Sequence, residues 1–159
     1  MPLKNLNVLL ADDDTDDCYF FKKALKEIAV SSYLDIVHDG EQLMSYLLKN
    51  SEHLPTVLFI DINMPRKNGL ECLSEIKQNK KLKDIPIVMF STSNSLDTIN
   101  MLFRCGAHIY IHKPSDFEQL KQVIHHAIPI ATDETHINKP LKYILNAANS
   151  ERPKLAKKG

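Results

Sequence analysis

The sequence predicts an α/β domain built on a doubly wound, five-stranded parallel sheet. Short apolar runs rich in Val, Ile and Leu alternate five times with longer amphipathic runs. Nearly continuous apolar strands are typical of a sheet covered on both faces, and a repeated βα order implies right-handed crossovers. The 159 residues, 43% hydrophobic and 25% charged, have the composition of an ordinary globular protein.

Five strands are predicted from the apolar runs: Asn7–Ala11, Leu34–His38, Val57–Asp61, Ile85–Ser91 and Ala107–Ile111. The stretches between and after them have helical periodicity. Their apolar faces are Cys18, Phe21, Leu25 and Ile28; Leu43 and Leu47; Leu70, Leu73 and Ile76; Ile99, Leu102 and Phe103; and Phe117, Leu120, Val123, Ile124 and Ala127. Asp39 or Gly40 is expected to cap the N-terminus of the second helix. A capping box at Ser115–Glu118 is expected to begin the fifth helix.

The pattern places one domain at residues 1–128 and a linker with a short basic tail at residues 129–159. Pro129 is expected to end the last helix, because proline cannot donate a helical hydrogen bond. Residues 129–138 are predicted to be a linker, residues 139–149 a short helix, and residues 150–159 disordered.

Composition excludes several classes of protein. Twenty basic residues balance twenty acidic ones, which excludes a wholly basic nucleic-acid binder. No apolar run approaches the roughly 18 residues of a membrane span, and the N-terminus does not resemble a signal peptide. The three cysteines are widely spaced, as expected of reduced, buried thiols. We therefore expect a cytoplasmic protein without a nucleic-acid or membrane partner.

Polar residues end four of the five predicted strands. They are Asp12–Asp14 after the first strand, Asp61 on the third, Ser91 on the fourth and Lys113 after the fifth. In open parallel sheets the ligand site lies at the carboxyl ends of the strands. The sequence therefore predicts one site that contains carboxylates, a hydroxyl and an ammonium group.

The donor types predict the chemistry of this site. Oxygen ligands without His or Cys favour Mg²⁺, which Asp13, Asp61, water and the main-chain carbonyl of Asn63 could bind. A carboxylate beside Mg²⁺ can attack phosphorus and form an acyl phosphate. Lys113 and the metal would neutralise charge on the transferred phosphoryl group, and Ser91 offers it a hydroxyl.

Four segments resemble the receiver domain of two-component response regulators, the family of the chemotaxis response regulator. They are Val8–Asp14, Leu58–Pro65 with Asn68-Gly69, Ile85–Thr92 and Cys105–Pro114, and the resemblance covers residues 4–128. It implies the flavodoxin-like (βα)5 receiver fold. It also implies that Asp61 is the phosphoacceptor and that Asp12 and Asp13 hold Mg²⁺ together with the Asn63 main chain. Ser91 and Tyr110 would be the switch residues, and Lys113 the partner of the phosphoryl group. The resemblance further implies that the Lys113–Pro114 peptide is cis.

The resemblance implies a single-domain regulator that accepts a phosphoryl group from a sensor histidine kinase and is not a turnover enzyme. The run Phe90–Ser95 is similar to stand-alone receivers, including those that work with phytochrome kinases. Signalling is then expected in trans, to another protein or in a homodimer, through the fourth helix, fifth strand and fifth helix. Phosphorylation is expected to draw the Ser91 hydroxyl inward, so that Tyr110 fills the vacated space from the rim.

Other interpretations of the same residues remain. One is a Mg²⁺-dependent aspartyl phosphatase of the haloacid dehalogenase type, although the residues after Asp61 lack that family's second acid. Another is a receiver that acts as a scaffold without phosphorylation. The run Asp12–Asp17 could simply favour a helix N-terminus, and it lacks the glycine and glutamate of an EF-hand. His125 and His126 are read as a surface pair, with a phosphorelay role as the alternative.

Overall fold

The computed structural model of the chain describes residues 5–28, 31–93, 95–133, 143–145 and 154–155. Seven strands and five helices lie in this part of the chain. In order they are β1 Leu6–Ala11, α1 Thr15–Glu27, β2 Ser32–Val37, α2 Gly40–Lys49, β3 Val57–Asp61, α3 Gly69–Gln78, β4 Ile87–Ser91, α4 Leu96–Arg104, β5 Ile109–His112, α5 Phe117–Thr132, β6 Tyr143–Leu145 and β7 Lys154–Leu155.

All the strands form one sheet in the order β2-β1-β3-β4-β5-β6-β7. Strands β1 to β5 pair in parallel, which confirms the predicted doubly wound parallel sheet. The strand order reverses direction beside β1, so the carboxyl ends of β1 and β3 flank the expected ligand crevice.

Two apolar cores cover the two faces of the sheet. Successive residues of β3 alternate between them: Leu58 and Ile60 pack with α2, α3 and α4, whereas Val57 and Phe59 pack with α1 and α5. Every residue of β3 is buried. Strand β3 is therefore held on both faces, and its last residue, Asp61, has little freedom to move.

The helix starts are fixed by short polar side chains. Asp39 accepts a hydrogen bond from the Gln42 N–H at 2.8 Å, which confirms it as the cap of α2. The capping box predicted at Ser115–Glu118 is wrong. Asp116 caps α5 by accepting from the Gln119 N–H at 3.0 Å, because an aspartate is equally able to cap one residue later.

The prediction that Pro129 ends the last helix is also wrong, because α5 continues to Thr132. Proline removes one main-chain donor there, but Ile128 beside it is buried in the core. The Thr132 hydroxyl donates to the Ile128 carbonyl oxygen at 2.8 Å. Apolar packing and this side-chain bond extend the helix past the proline.

The basic tail contributes strands where a helix and disorder were predicted. Strand β6 pairs in parallel with β5, and β7 pairs antiparallel with β6. Leu145 is fully buried in the core under α1 and α5, while Ile144 packs on the opposite core. Alternation between two faces is a strand pattern, so β6 covers the edge of β5. The rest of the predicted helix at residues 139–149, residues 134–138 of the predicted linker and most of residues 150–159 lie outside the described residues.

The cysteines agree with the predicted reduced state. All three are free; Cys18 and Cys72 are buried, and Cys105 is half-buried. Burial raises the pKa of the Cys18 thiol to about 12, so this thiol is protonated and unreactive at neutral pH. Within the described ranges, no helix combines the length and apolar character that crossing a membrane requires.

Candidate functional site

The fold brings the predicted polar residues together at the carboxyl ends of four strands. Carboxylate oxygens of Asp12, Asp13 and Asp61 all lie within 4.8 Å of one another. Asp12, Asp61 and Ser91 are buried, whereas Asp13 is exposed. The site is thus a partly buried carboxylate cluster that opens to solvent through Asp13.

Lys113, which follows β5, supplies the cation of the cluster. Its Nζ lies 2.9 Å from Asp12 Oδ2, 2.9 Å from Asp17 Oδ2 and 3.4 Å from Asp61 Oδ2. Its side chain is only 9% exposed. Burial lowers the pKa of Lys113, but the hydrogen bond to Asp12 and the charges of Asp12 and Asp61 outweigh it and raise the pKa. Lys113 therefore stays charged.

The surroundings of Asp61 disfavour the ionised form of its carboxyl group. Burial raises its pKa to about 6, and the nearby charge of Asp12 adds to the rise. The Lys113 ammonium and the Asn63 N–H, which donates to Asp61 Oδ1 at 3.3 Å, act in the opposite direction. A buried, perturbed carboxylate in a cleft is typical of a functional group.

The aspartates of the acidic run after β1 have different structural roles. Asp12 Oδ1 accepts the Asp14 N–H at 3.0 Å, and Asp14 in turn caps α1 by accepting from the N–H groups of Asp16 and Asp17. Only Asp12 and Asp13 belong to the carboxylate cluster. The helix-start interpretation therefore fits Asp14, which caps α1, and Asp16 and Asp17, which lie in its first turn.

Asp17 is a site residue that the sequence analysis missed. Its carboxylate contacts Lys113 as closely as that of Asp12 does. A signal was available, because Asp17 lies in the first turn of α1, the helix that begins directly after the strand-end residues Asp12 and Asp13. Because Asp17 is the last residue of the acidic run Asp12–Asp17, the sequence alone did not distinguish it from acids that favour a helix N-terminus.

The loop after β3 approaches Asp61 closely because Gly69 has no side chain. The Gly69 N–H donates to the Ile62 carbonyl oxygen at 2.8 Å. A Cβ at position 69 would lie 2.4 Å from the Asp61 carbonyl oxygen. The Asn68-Gly69 pair therefore closes the loop that holds Asn63 beside Asp61.

Two hydrogen bonds link Ser91 to Tyr110 through Ser93. The Ser93 N–H donates to Ser91 Oγ at 3.1 Å, and the Tyr110 hydroxyl donates to the Ser93 carbonyl oxygen. Tyr110 is 1% exposed. The expectation that Tyr110 starts at the rim is therefore wrong: the space beside Ser93 accommodates the ring, and its hydroxyl finds an acceptor there.

The cis peptide implied by the resemblance is not observed. The Lys113–Pro114 bond is trans, the form of lower energy for most bonds to proline. Lys113 reaches the carboxylates from this geometry, and its N–H donates to the Ser91 carbonyl oxygen at 2.8 Å.

The donor set fits a small hard cation. Three carboxylates within 4.8 Å, one of them open to solvent, can hold Mg²⁺ together with retained waters. The Asn63 main-chain carbonyl stays a predicted ligand. His125 is exposed and His126 half-buried on α5, as expected of a surface pair.

Comparison with known proteins identifies the family. The sequence model of the response regulator receiver domain matches residues 8–125. The chain belongs to the response regulator receiver domain family. Receiver domains are signalling proteins that accept a phosphoryl group, in line with the two-component signalling expected from the motifs.

Three comparisons, two of them with proteins named Rcp1, agree with this family. The chain is 31% identical over 121 residues to response regulator Rcp1 of Synechocystis sp., covering 74% of this chain and 82% of Rcp1. The structure of phosphorylated RcpA, a cyanobacterial phytochrome response regulator, is 29% identical with a TM-score of 0.75, covering 82% of this chain and 96% of RcpA. The Mn²⁺-bound form of Rcp1 is 28% identical with a TM-score of 0.71, covering 81% and 96%.

Proposed function

We propose that this receiver domain accepts a phosphoryl group on Asp61 from a sensor histidine kinase of the phytochrome type and signals through a phosphorylation-dependent contact with another protein. The observation that carries the proposal is the position of Asp61, at the end of the buried strand β3 and close to both Asp13 and Lys113. The kinase class is supported by the likeness to RcpA, which is a phytochrome response regulator.

The transfer is a displacement at phosphorus. A carboxylate oxygen of Asp61 forms the new bond to phosphorus while the bond from phosphorus to the donor histidine nitrogen breaks, and the electron pair leaves with the imidazole. Lys113 then offers an ammonium hydrogen to a phosphoryl oxygen, and the Ser91 hydroxyl, whose oxygen accepts from Ser93, can donate to another. Asp12, Asp13 and Asp61 would hold Mg²⁺, which supplies further neutralisation of phosphoryl charge.

Two other functions receive less support. An aspartyl phosphatase needs a second acid two residues after its nucleophile, and this chain has Asn63 there, with its N–H bonded to Asp61. A scaffold that is never phosphorylated does not need the carboxylate of Asp61, the ammonium group of Lys113 and the hydroxyl of Ser91 at the same edge of the sheet. The arrangement favours a phosphoacceptor.

Acetyl phosphate separates these functions. With Mg²⁺, we expect the wild-type chain to take up one phosphoryl group and to release it slowly as inorganic phosphate. A scaffold would take up none. Sustained turnover of p-nitrophenyl phosphate, a phosphomonoester, would instead support the phosphatase and contradict the proposal.

The same hydrogen bonds suggest how the signal leaves the site. A phosphoryl group that attracts the Ser91 hydroxyl disturbs the Ser93 N–H, and Tyr110 is bonded to the other side of Ser93. Tyr110 is paired in register with Ile144 of β6. Because β6 covers the edge of β5, we propose that the output surface consists of α4, α5 and β6, where β5 was expected from the sequence. A protein in trans or a second copy of the chain would bind there.

Amide hydrogen exchange with and without beryllofluoride tests this route. Because Ser91, Ser93 and Tyr110 are linked, we expect altered exchange within residues 91–128 and at residues 143–145. Residues 40–49, which form α2 and include no partner of Lys113, serve as the internal reference. Changes confined to residues 14–50 would contradict the proposed switch.

Cytoplasmic location and the absence of nucleic-acid and membrane partners belong to the same proposal. Their support is the family, together with the balanced charge of the chain.

A further inference from the structure

We infer that Asp17 is a positioning residue that competes with the phosphoryl group for Lys113 and so slows phosphorylation of this domain. The inference rests on the proposed function and adds a control of its rate. The Lys113 ammonium has three hydrogens and three carboxylate neighbours. The two shorter contacts, both 2.9 Å, go to Asp12 and Asp17, and the contact to Asp61 is the longest at 3.4 Å.

The three carboxylates are not equivalent in burial. The side chains of Asp12 and Asp61 are almost fully buried, whereas that of Asp17 is 43% exposed. Asp12 and Asp61 are fixed at strand ends, but Asp17 lies in the first turn of α1, with its N–H bonded to Asp14. If Asp17 loses its contact with Lys113, water can solvate its carboxylate, whereas Asp12 or Asp61 would be left as an unpaired buried charge. Asp17 is therefore the partner that can release Lys113 most easily.

The charge of Asp17 opposes the incoming group. A phosphoryl donor brings negative charge to the point where Lys113 is needed, and Asp17 cancels part of the positive potential there. Its carboxylate also occupies one ammonium hydrogen that a phosphoryl oxygen could accept. Both effects predict faster phosphorylation when the Asp17 charge is removed.

Loss of Asp17 could instead loosen Lys113 and slow the reaction. The remaining contacts argue against this, because Lys113 keeps its 2.9 Å bond to Asp12 and its ammonium lies 5.3 Å from the centre of the Phe90 ring. Its side chain is also 9% exposed. Lys113 is therefore held in place without Asp17, and the electrostatic effect decides the direction.

The test compares Asp17→Asn with Asp16→Asn in the full chain. Asp16 carries the same charge in the same helical turn, but its carboxylate is not one of those that contact Lys113. With acetyl phosphate and Mg²⁺, we expect Asp17→Asn to be labelled roughly three to ten times faster than wild type, and Asp16→Asn at close to the wild-type rate. A small donor avoids any effect on kinase docking.

A second pair of variants shows whether Asp17 acts through Lys113. In a Lys113→Met background, adding Asp17→Asn should change the labelling rate no more than adding Asp16→Asn does, because only the general loss of one negative charge then remains. Equal rates for Asp17→Asn and Asp16→Asn, or an Asp17→Asn effect larger than that of Asp16→Asn that persists without Lys113, would overturn the inference while leaving the proposed function intact. A wild-type chain that takes up no phosphoryl group would overturn both.

Discussion

Asp61→Asn should abolish labelling by acetyl phosphate and raise the free energy of unfolding of the metal-free protein at about pH 8 by roughly 2–3 kcal/mol. An amide lacks the nucleophilic carboxylate oxygen, so no acyl phosphate can form. It also removes a buried charge from beside Asp12, while Lys113 keeps its contacts to Asp12 and Asp17. Loss of function and gain of stability are expected from one substitution.

The stability gain should depend on pH in a defined direction. The pKa of Asp61 is raised by burial to about 6 in the folded chain, from an ordinary value of 3.8. Between these values the folded state holds the proton more tightly than the unfolded state does, so the contribution of Asp61 to wild-type stability falls as pH rises through this window. The advantage of Asp61→Asn should be greatest above about pH 7 and disappear near pH 4.

Urea unfolding with a chelator present, at several pH values, measures this difference. Glu52→Gln is a matched control, because it removes one carboxylate from an exposed turn and should change stability by no more than about 0.5 kcal/mol. A less stable Asp61→Asn variant at about pH 8 would show that the ionised carboxylate stabilises the site.

Asp13→Ala should weaken Mg²⁺ binding by at least about tenfold, or roughly 1.4 kcal/mol. Asp13 is the exposed member of the three-carboxylate cluster, so its loss removes ligand charge without opening the core. Mg²⁺ is held by few protein ligands and retains water, so each carboxylate carries a large share of the affinity. Isothermal titration with MgCl₂ measures the effect.

Asp16→Ala is the control for Asp13→Ala, because it removes the same charge from the same acidic run outside the cluster. It should reduce Mg²⁺ affinity only slightly, through long-range attraction that salt screens. Equal affinities of Asp13→Ala and wild type would place the metal elsewhere on the protein.

The sheet and its helices could be predicted from sequence because each depends on local periodicity. Residues 57–60 are continuously apolar and Asp61 follows them, and the observed strand has the predicted bounds Val57–Asp61. The tail could not be predicted in this way. Ile144 and Leu145 fit a helix face as well as a strand, and only pairing with β5, distant in sequence, selects the strand.

The site was predictable to the extent that strand ends converge. Asp12, Asp61, Ser91 and Lys113 follow from the topology alone, because carboxyl ends of parallel strands share one edge. The contact of Asp17 with Lys113 depends on the rotation of α1. The buried position of Tyr110 depends on the Ser93 carbonyl as an acceptor. Neither is a property of local sequence.

Mapping the phosphorylated residue in the wild-type chain tests the central claim most directly. The chain would be incubated with acetyl phosphate and Mg²⁺, reduced with borohydride to trap any acyl phosphate, and digested for mass spectrometry. We predict a single reduced residue at Asp61, in a peptide that also contains Asn63. Trapping at Asp12 or Asp13, or a phosphoryl group on His125 or His126, would contradict the account.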